Sequence, residues 1–163
     1  MKRRNFLQAA AVAALPVGNV SNRAEDVDNK PPRVMTVDGE VDADQLGKML
    51  PHEHILVDFV GAGQITADRY DADEAFEVML PFVRQAKKAG CETIAECTPA
   101  YLGRDAKLLQ RLTQATGMRF ITNTGYYGAR QGKFLPRHAY QESADDLARR
   151  WVAEWKDGIG GPG

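Results

Sequence analysis

Cysteine is scarce, with two residues in 163, too few for a disulfide framework, so the fold must hold through packing. A surplus of one charge is also missing. The 21 Lys and Arg against 22 Asp and Glu leave a net charge of −1, and no basic field exists to drive nucleic-acid binding. No apolar run approaches the roughly 20 residues that cross a bilayer, which excludes stable membrane association. The glycine-rich phosphate-binding fingerprint of dinucleotide folds does not follow the first core strand. Length falls short of one architecture as well: a complete eightfold β/α barrel needs roughly 250 residues and seldom fewer than about 200. What is present, 44% hydrophobic and 26% charged, is the composition of an ordinary globular domain.

Residues 1–30 read as an address followed by a linker, and residues 31–163 as the folded part. Lys2, Arg3 and Arg4 precede Phe6 and Leu7, and an alanine-rich apolar stretch covers 9–17; a charged start before a short apolar run is the layout of a secretory signal. The paired arginines followed by Phe6-Leu7 resemble a twin-arginine export signal. That resemblance implies a folded protein exported to the periplasm or secreted. The competing reading is a basic, alanine-rich helix. Pro31-Pro32 within a polar stretch marks the linker.

Past the linker, Asp38-Gly39 between β-branched residues predicts a hairpin over 34–41. A short strand is expected at 48–52. Ala75, Val78, Met79, Phe82, Val83 and Ala86 recur at helical spacing within 71–89, with Pro81 expected to kink or break that helix. A buried strand over 91–98, a helix over 105–116 with Leu108, Leu109 and Leu112 on one face, and a strand over 118–124 follow. After a long loop, a last helix starts at the Ser143 cap, its stripe made by Leu147, Trp151, Val152 and Trp155. Cys91 and Cys97, six residues apart on one strand, would lie roughly 20 Å apart, beyond the reach of a disulfide, so both are expected as buried thiols. Strands alternating with helices specify a parallel sheet. The expected fold class is α/β, a partial TIM (β/α) barrel with about three β/α units after the N-terminal hairpin.

His52-Glu53-His54 closes the first core strand. Residues i and i+2 of a strand face the same side, so both imidazoles project together from its C-terminal end, where β/α barrels carry their active sites. Two neutral imidazoles are natural ligands for zinc or another divalent transition metal. Glu53 points the other way.

The segments Pro51-His52-Glu53-His54-Ile55, Thr93-Ile94-Ala95-Glu96 with Gly103-Arg104-Asp105, and Thr124-Gly125-Tyr126-Tyr127 resemble the phosphotriesterase family of the amidohydrolase superfamily. The resemblance runs from about Met35 onward and implies a β/α barrel with two divalent metal ions, usually zinc, at its mouth. It implies hydrolysis of a small-molecule ester (phosphotriester, lactone or carboxylic ester) by a metal-activated hydroxide. By the same resemblance His52 and His54 are metal ligands, Tyr127 lines the substrate pocket, and Glu96 is a partner that orients the imidazoles. Plain readings stand beside these: Glu96 solvated or paired with Arg104, and Tyr126 and Tyr127 as packing residues.

The family's remaining ligands, a strand-borne lysine, two histidines and an aspartate, have no counterpart in this sequence. Lys156 falls within a helix, and His138 reads as a surface residue of a loop. Two ligands do not complete a zinc site. The chain is therefore expected to be a truncated, inactive part of a hydrolase whose open sheet edges favour aggregation or a homo-oligomer. The alternatives are an exported, non-catalytic half-barrel that binds a ligand or partner through Tyr126, Tyr127 and Lys133-Phe134-Leu135, and an intracellular α/β binding domain.

Overall fold

A computed structural model of the chain describes residues 31–160; the export signal expected over 1–30 lies outside the described residues. The hairpin forms as expected. β1 (Arg33–Thr36) pairs antiparallel with β2 (Gly39–Asp42), Val34 opposite Val41. Its turn is anchored to the rest of the fold, because Val37 N–H donates to Phe120 O at 3.0 Å and Gln110 Nε2 donates to Val37 O at 2.6 Å.

The main sheet has three parallel strands in the order β3 (Met49–Glu53), β4 (Thr93–Glu96), β5 (Arg119–Ile121). Helix α1 (Ala72–Lys88) joins β3 to β4, α2 (Ala106–Thr116) joins β4 to β5, and α3 (Ala144–Asp157) follows β5. The helix starts are set by side-chain caps. Asp71 accepts from Asp73 N–H and Glu74 N–H, Asp105 from Lys107 N–H and Leu108 N–H, and Ser143 forms a capping box with Asp146. Each satisfies amide donors that the first turn leaves without a helical partner. Gly117, in the left-handed region at φ +65°, closes α2.

The core lies between the sheet and the α1/α2 layer. Leu80 and Val83 of α1 meet Leu108, Leu109 and Leu112 of α2 over Ile94, Met118 and Phe120. Burial of each such side chain contributes about 1.5–3 kcal/mol before entropy is counted.

Several sequence expectations need correction. α1 runs through Pro81 without a break. Pro81 lies on the solvent face, where water can hydrate the carbonyl whose helical partner proline removes. The apolar stripe of α1 is also rotated from the expected one. Phe76, Met79, Leu80, Val83 and Ala86 face the core, whereas Val78 and Phe82 are 54% and 61% exposed. α3 buries no residue fully; Leu147 and Trp151 are half-buried, while Val152 and Trp155 are exposed. The second and third core strands are shorter than expected. Cys91 precedes β4 and Cys97 follows it, and both are free, half-buried thiols rather than buried ones.

Candidate functional site

The C-terminal ends of the three parallel strands converge on one cavity of about 480 Å³. At the end of β3 it is lined by His52 and His54, after β4 by Cys97, and after β5 by Asn123, Tyr126 and Tyr127. Open parallel sheets and barrels place ligands at this end because the loops that follow the strands can vary while the strands stay fixed.

The two imidazoles stand on one wall of this cavity. Their ring centroids are 5.1 Å apart and their planes are inclined at 78°. The alternation of strand side chains accounts for the pairing only in part, because the β3–β4 register shifts by one residue between Leu50 and Glu53. That shift is a bulge around Pro51, a residue with no N–H to give to a ladder. Bulges re-aim side chains, and this one, between Leu50 and Glu53, takes in His52 and precedes His54. Both histidines are exposed.

Beneath His54 is a short polar chain. Its Nδ1 lies 2.9 Å from Thr98 Oγ1. Thr98 N–H donates to Glu96 Oε1 at 3.2 Å, and Ile55 N–H donates to the same oxygen at 3.3 Å. Glu96 is 3% exposed, and its Oε2 is buried without a hydrogen-bond partner among the described residues. Burial pushes its carboxyl above the ordinary carboxylate value, against the Thr98 hydroxyl, the backbone amides of Ile55 and Thr98, and the nearby His54, which all favour the charged form. Glu96 touches neither imidazole directly. It holds the loop after β3 and the residue that contacts His54. Arg104 does not pair with Glu96; both of its terminal nitrogens engage Glu154, at 2.9 and 2.6 Å, and one also donates to Asn123 O.

Tyr127 lines the cavity and packs against Phe134, with centroids 5.6 Å apart. Tyr126 also reaches the cavity, but its hydroxyl is 2.7 Å from His138 Nε2 and its ring meets Trp151 of α3 edge-on. His138, expected at the surface, is half-buried and bonded. It anchors the loop that presents the tyrosines. Phe134 of the Lys133-Phe134-Leu135 segment is 2% exposed and is a packing residue rather than a free docking surface.

Sequence reasoning missed Thr98 and Cys97. A threonine directly before Pro99 at a strand end was the available signal, since Pro fixes the preceding residue in an extended conformation and so holds its side chain in place. Cys97 faces the cavity, with its thiol 3.5 Å from the Ala95 carbonyl. Among the described residues no group of three or more His, Cys, Asp or Glu is arranged to hold a metal ion. The cavity carries two imidazoles and, on its lining, the Cys97 thiol. The imidazoles suit zinc and its neighbours and supply half of a four-coordinate shell.

Comparison with known proteins bears on this arrangement. The family model described as Phosphotriesterase family matches residues 32–163. Over 121 residues the chain is 30% identical to an aryldialkylphosphatase of Saccharolobus solfataricus, covering 74% of this chain and 38% of that protein. Over 118 residues it is 30% identical to a phosphotriesterase homology protein of Escherichia coli, covering 72% of this chain and 38% of the relative. Among solved structures it resembles organophosphorus hydrolase from Deinococcus radiodurans, with TM-score 0.66, 29% identity, and coverage of 83% of this chain and 42% of that one. A mutant of the same hydrolase gives a TM-score of 0.70 at 27% identity. The neighbours are β/α barrels, and the open parallel sheet seen here corresponds to part of one. The chain thus spans roughly two fifths of the length of these relatives, 38% and 42% in the cases given.

Proposed function

This chain belongs to the phosphotriesterase family, and on that footing we propose that it forms the first wall of a metal-dependent centre that hydrolyses ester bonds. The carrying observation is the placement of His52 and His54, side by side on one cavity at the C-terminal end of a parallel strand. Their role is to hold a divalent ion, zinc in first place. When bound, such an ion supplies Lewis acidity, making hydroxide available near neutral pH and polarising the oxygen of the scissile ester. Tyr127 borders the space where the small ester substrate, a phosphotriester, lactone or carboxylic ester, is received.

The protein's own groups then have separable tasks. The bulge at Pro51 aims the imidazoles, and the Tyr126–His138 contact fixes the loop that carries Tyr127. Two imidazoles give two of the three or four protein ligands that a zinc site uses. The chain alone is therefore expected to bind metal weakly and to turn over no ester. Export by the twin-arginine route is part of the same proposal, and a reporter fused after residue 35 tests it by its location.

The direct test is zinc or cobalt titration of the chain by calorimetry. The unsubstituted chain should take up metal at one cavity, and His52→Ala and His54→Ala should each abolish that uptake. Metal uptake unchanged in both variants would overturn the site. Turnover of a chromogenic phosphotriester or lactone by the unsubstituted chain would show that two imidazoles suffice, against the expectation above.

A further inference from the structure

We propose that Asn123 is a specificity-determining residue of the cavity: its carboxamide oxygen accepts a hydrogen bond from the ligand and so selects esters that carry an O–H or N–H donor beside the ester group over esters that carry none. The inference deepens the ester-hydrolase reading above and rests on it for the nature of the ligand, but not for the geometry of the amide.

The cavity wall is largely apolar. Val57, Phe59, Pro99 and Leu102 line it together with the tyrosines, and no Asp, Glu, Lys or Arg does. In such a pocket a few placed polar groups decide orientation and selectivity. Asn123 follows β5 and is held at both its backbone and its side chain. Its backbone carbonyl accepts from Arg104 Nη1 at 2.8 Å, and the Arg104 side chain, 6% exposed, is itself fixed by two contacts to Glu154. The side-chain Nδ2 donates to Glu96 O at 3.5 Å, at the long limit of a hydrogen bond. A backbone carbonyl only accepts, so the nitrogen end of the amide is the one turned to β4 and the oxygen end is the one turned away. Among the described residues Oδ1 has no hydrogen-bond partner, and it remains open to solvent. It is a free acceptor on a half-buried residue of the cavity wall. A ligand that covers it with apolar atoms strips its water and gives nothing back, whereas one that brings a donor replaces that water. The second N–H of the amide does not discriminate in this way, since every ester has oxygens to accept from it. Nor does Cys97, whose thiol is turned to the Ala95 carbonyl and whose sulfur is a weak acceptor.

The test compares two probes, diethyl hydroxymethylphosphonate and diethyl methoxymethylphosphonate. Both are neutral phosphoryl esters, and they differ only in the methyl group that caps the hydroxyl. Binding to the metal-free 163-residue chain is read by saturation-transfer NMR, which tolerates association of the chain. The hydroxyl probe should bind about 2–10-fold more tightly than the methoxy probe. Asn123→Leu, close in size but without the amide, should bind the two probes equally and hold the methoxy probe no more weakly than the unsubstituted chain does. A change that merely loosened the wall would instead weaken both probes and leave their ratio as it was. Should Asn123→Leu fail to fold by circular dichroism, Asn123→Ala carries the same comparison. Equal binding of the two probes by the unsubstituted chain, binding of neither, or a preference that survives the substitution would overturn the proposal. The metal reading fails separately. Zinc uptake that survives both His52→Ala and His54→Ala removes that reading and leaves the probe preference standing, whereas equal probe binding beside zinc uptake that depends on the histidines removes only the role of Asn123.

Discussion

Gly103 adopts φ +114°, and a Cβ there would come within 3.1 Å of both Asp58 N and Leu56 O. Both neighbours are backbone atoms of the loop that follows β3, so neither can swing aside. Gly103→Ala is expected to destabilise the fold by about 1–3 kcal/mol, measured as a lowered urea midpoint, with His52 and His54 losing their shared wall as that loop shifts. Glu96 holds its proton more tightly in the folded chain than in the unfolded one, because burial raises it. Its contribution therefore favours the folded state below the ordinary carboxylate value of about 4.3 and is lost as pH rises through the raised folded value. Relative to Glu96→Gln, the unsubstituted chain should lose stability over that interval in urea titrations run from acid to neutral pH; a gap independent of pH would count against a buried, titrating Glu96. At this scale the sequence made the histidine pair legible, since alternation along a strand places residues two apart together. Of the polar chain under His54, Glu96 was named only through the family resemblance and Thr98 was not legible: their contacts depend on where the loop after β3 crosses the end of β4, a non-local contact that no spacing encodes.

Among the elements, α1 shows how burial distinguishes residues that periodicity cannot. Val78 and Phe82 satisfy a helical repeat as well as Met79 and Val83 do, yet they face solvent. The stripe that wins is the one facing the α2 leucines. The contrast predicts unequal costs. Leu112→Ala, at a position with 0% exposure, should cost about 2–5 kcal/mol. Phe82→Ser should change stability by no more than about 0.5 kcal/mol. Comparable losses from both in chemical denaturation would mean that the α1 face is misassigned. The cap of α2 is a second element-scale device. Asp105 receives two backbone amides and the Tyr70 hydroxyl, and burial, together with the neighbouring Asp105 carboxylate, raises the Tyr70 phenol above its ordinary value. The order of strands and helices was readable because each helix has its own cap and stop. Strand lengths were not, because β-branched residues at a strand end continue equally well into the loop. The bulge at Pro51 was likewise hidden: proline signals an interrupted ladder, but only pairing with β4 fixes where the extra residue is taken up.

At the scale of the whole molecule, the parallel sheet is open. Among the described residues β3 pairs only with β4, and every residue of β3 is exposed, with Met49 and Leu50 at 43% and 37%. An edge of unpaired amides and carbonyls beside apolar side chains is a template for another strand, and a closed barrel is the arrangement in which such an edge disappears. The occupant best matched to it in a solution of this chain is a second copy, because each copy offers the same free edge. Charge does not oppose the encounter, since the net charge is −1 and like-charge repulsion between copies is correspondingly small. Sedimentation velocity of the purified chain should therefore show species heavier than 18.0 kDa that grow with concentration. Leu50→Lys places a charge on the exposed edge, where it costs the fold little but opposes strand addition, and should shift the distribution toward the monomer with an unchanged circular dichroism spectrum. A single 18.0 kDa species at all concentrations, or association indifferent to Leu50→Lys, would show that the β3 edge is protected by the chain itself.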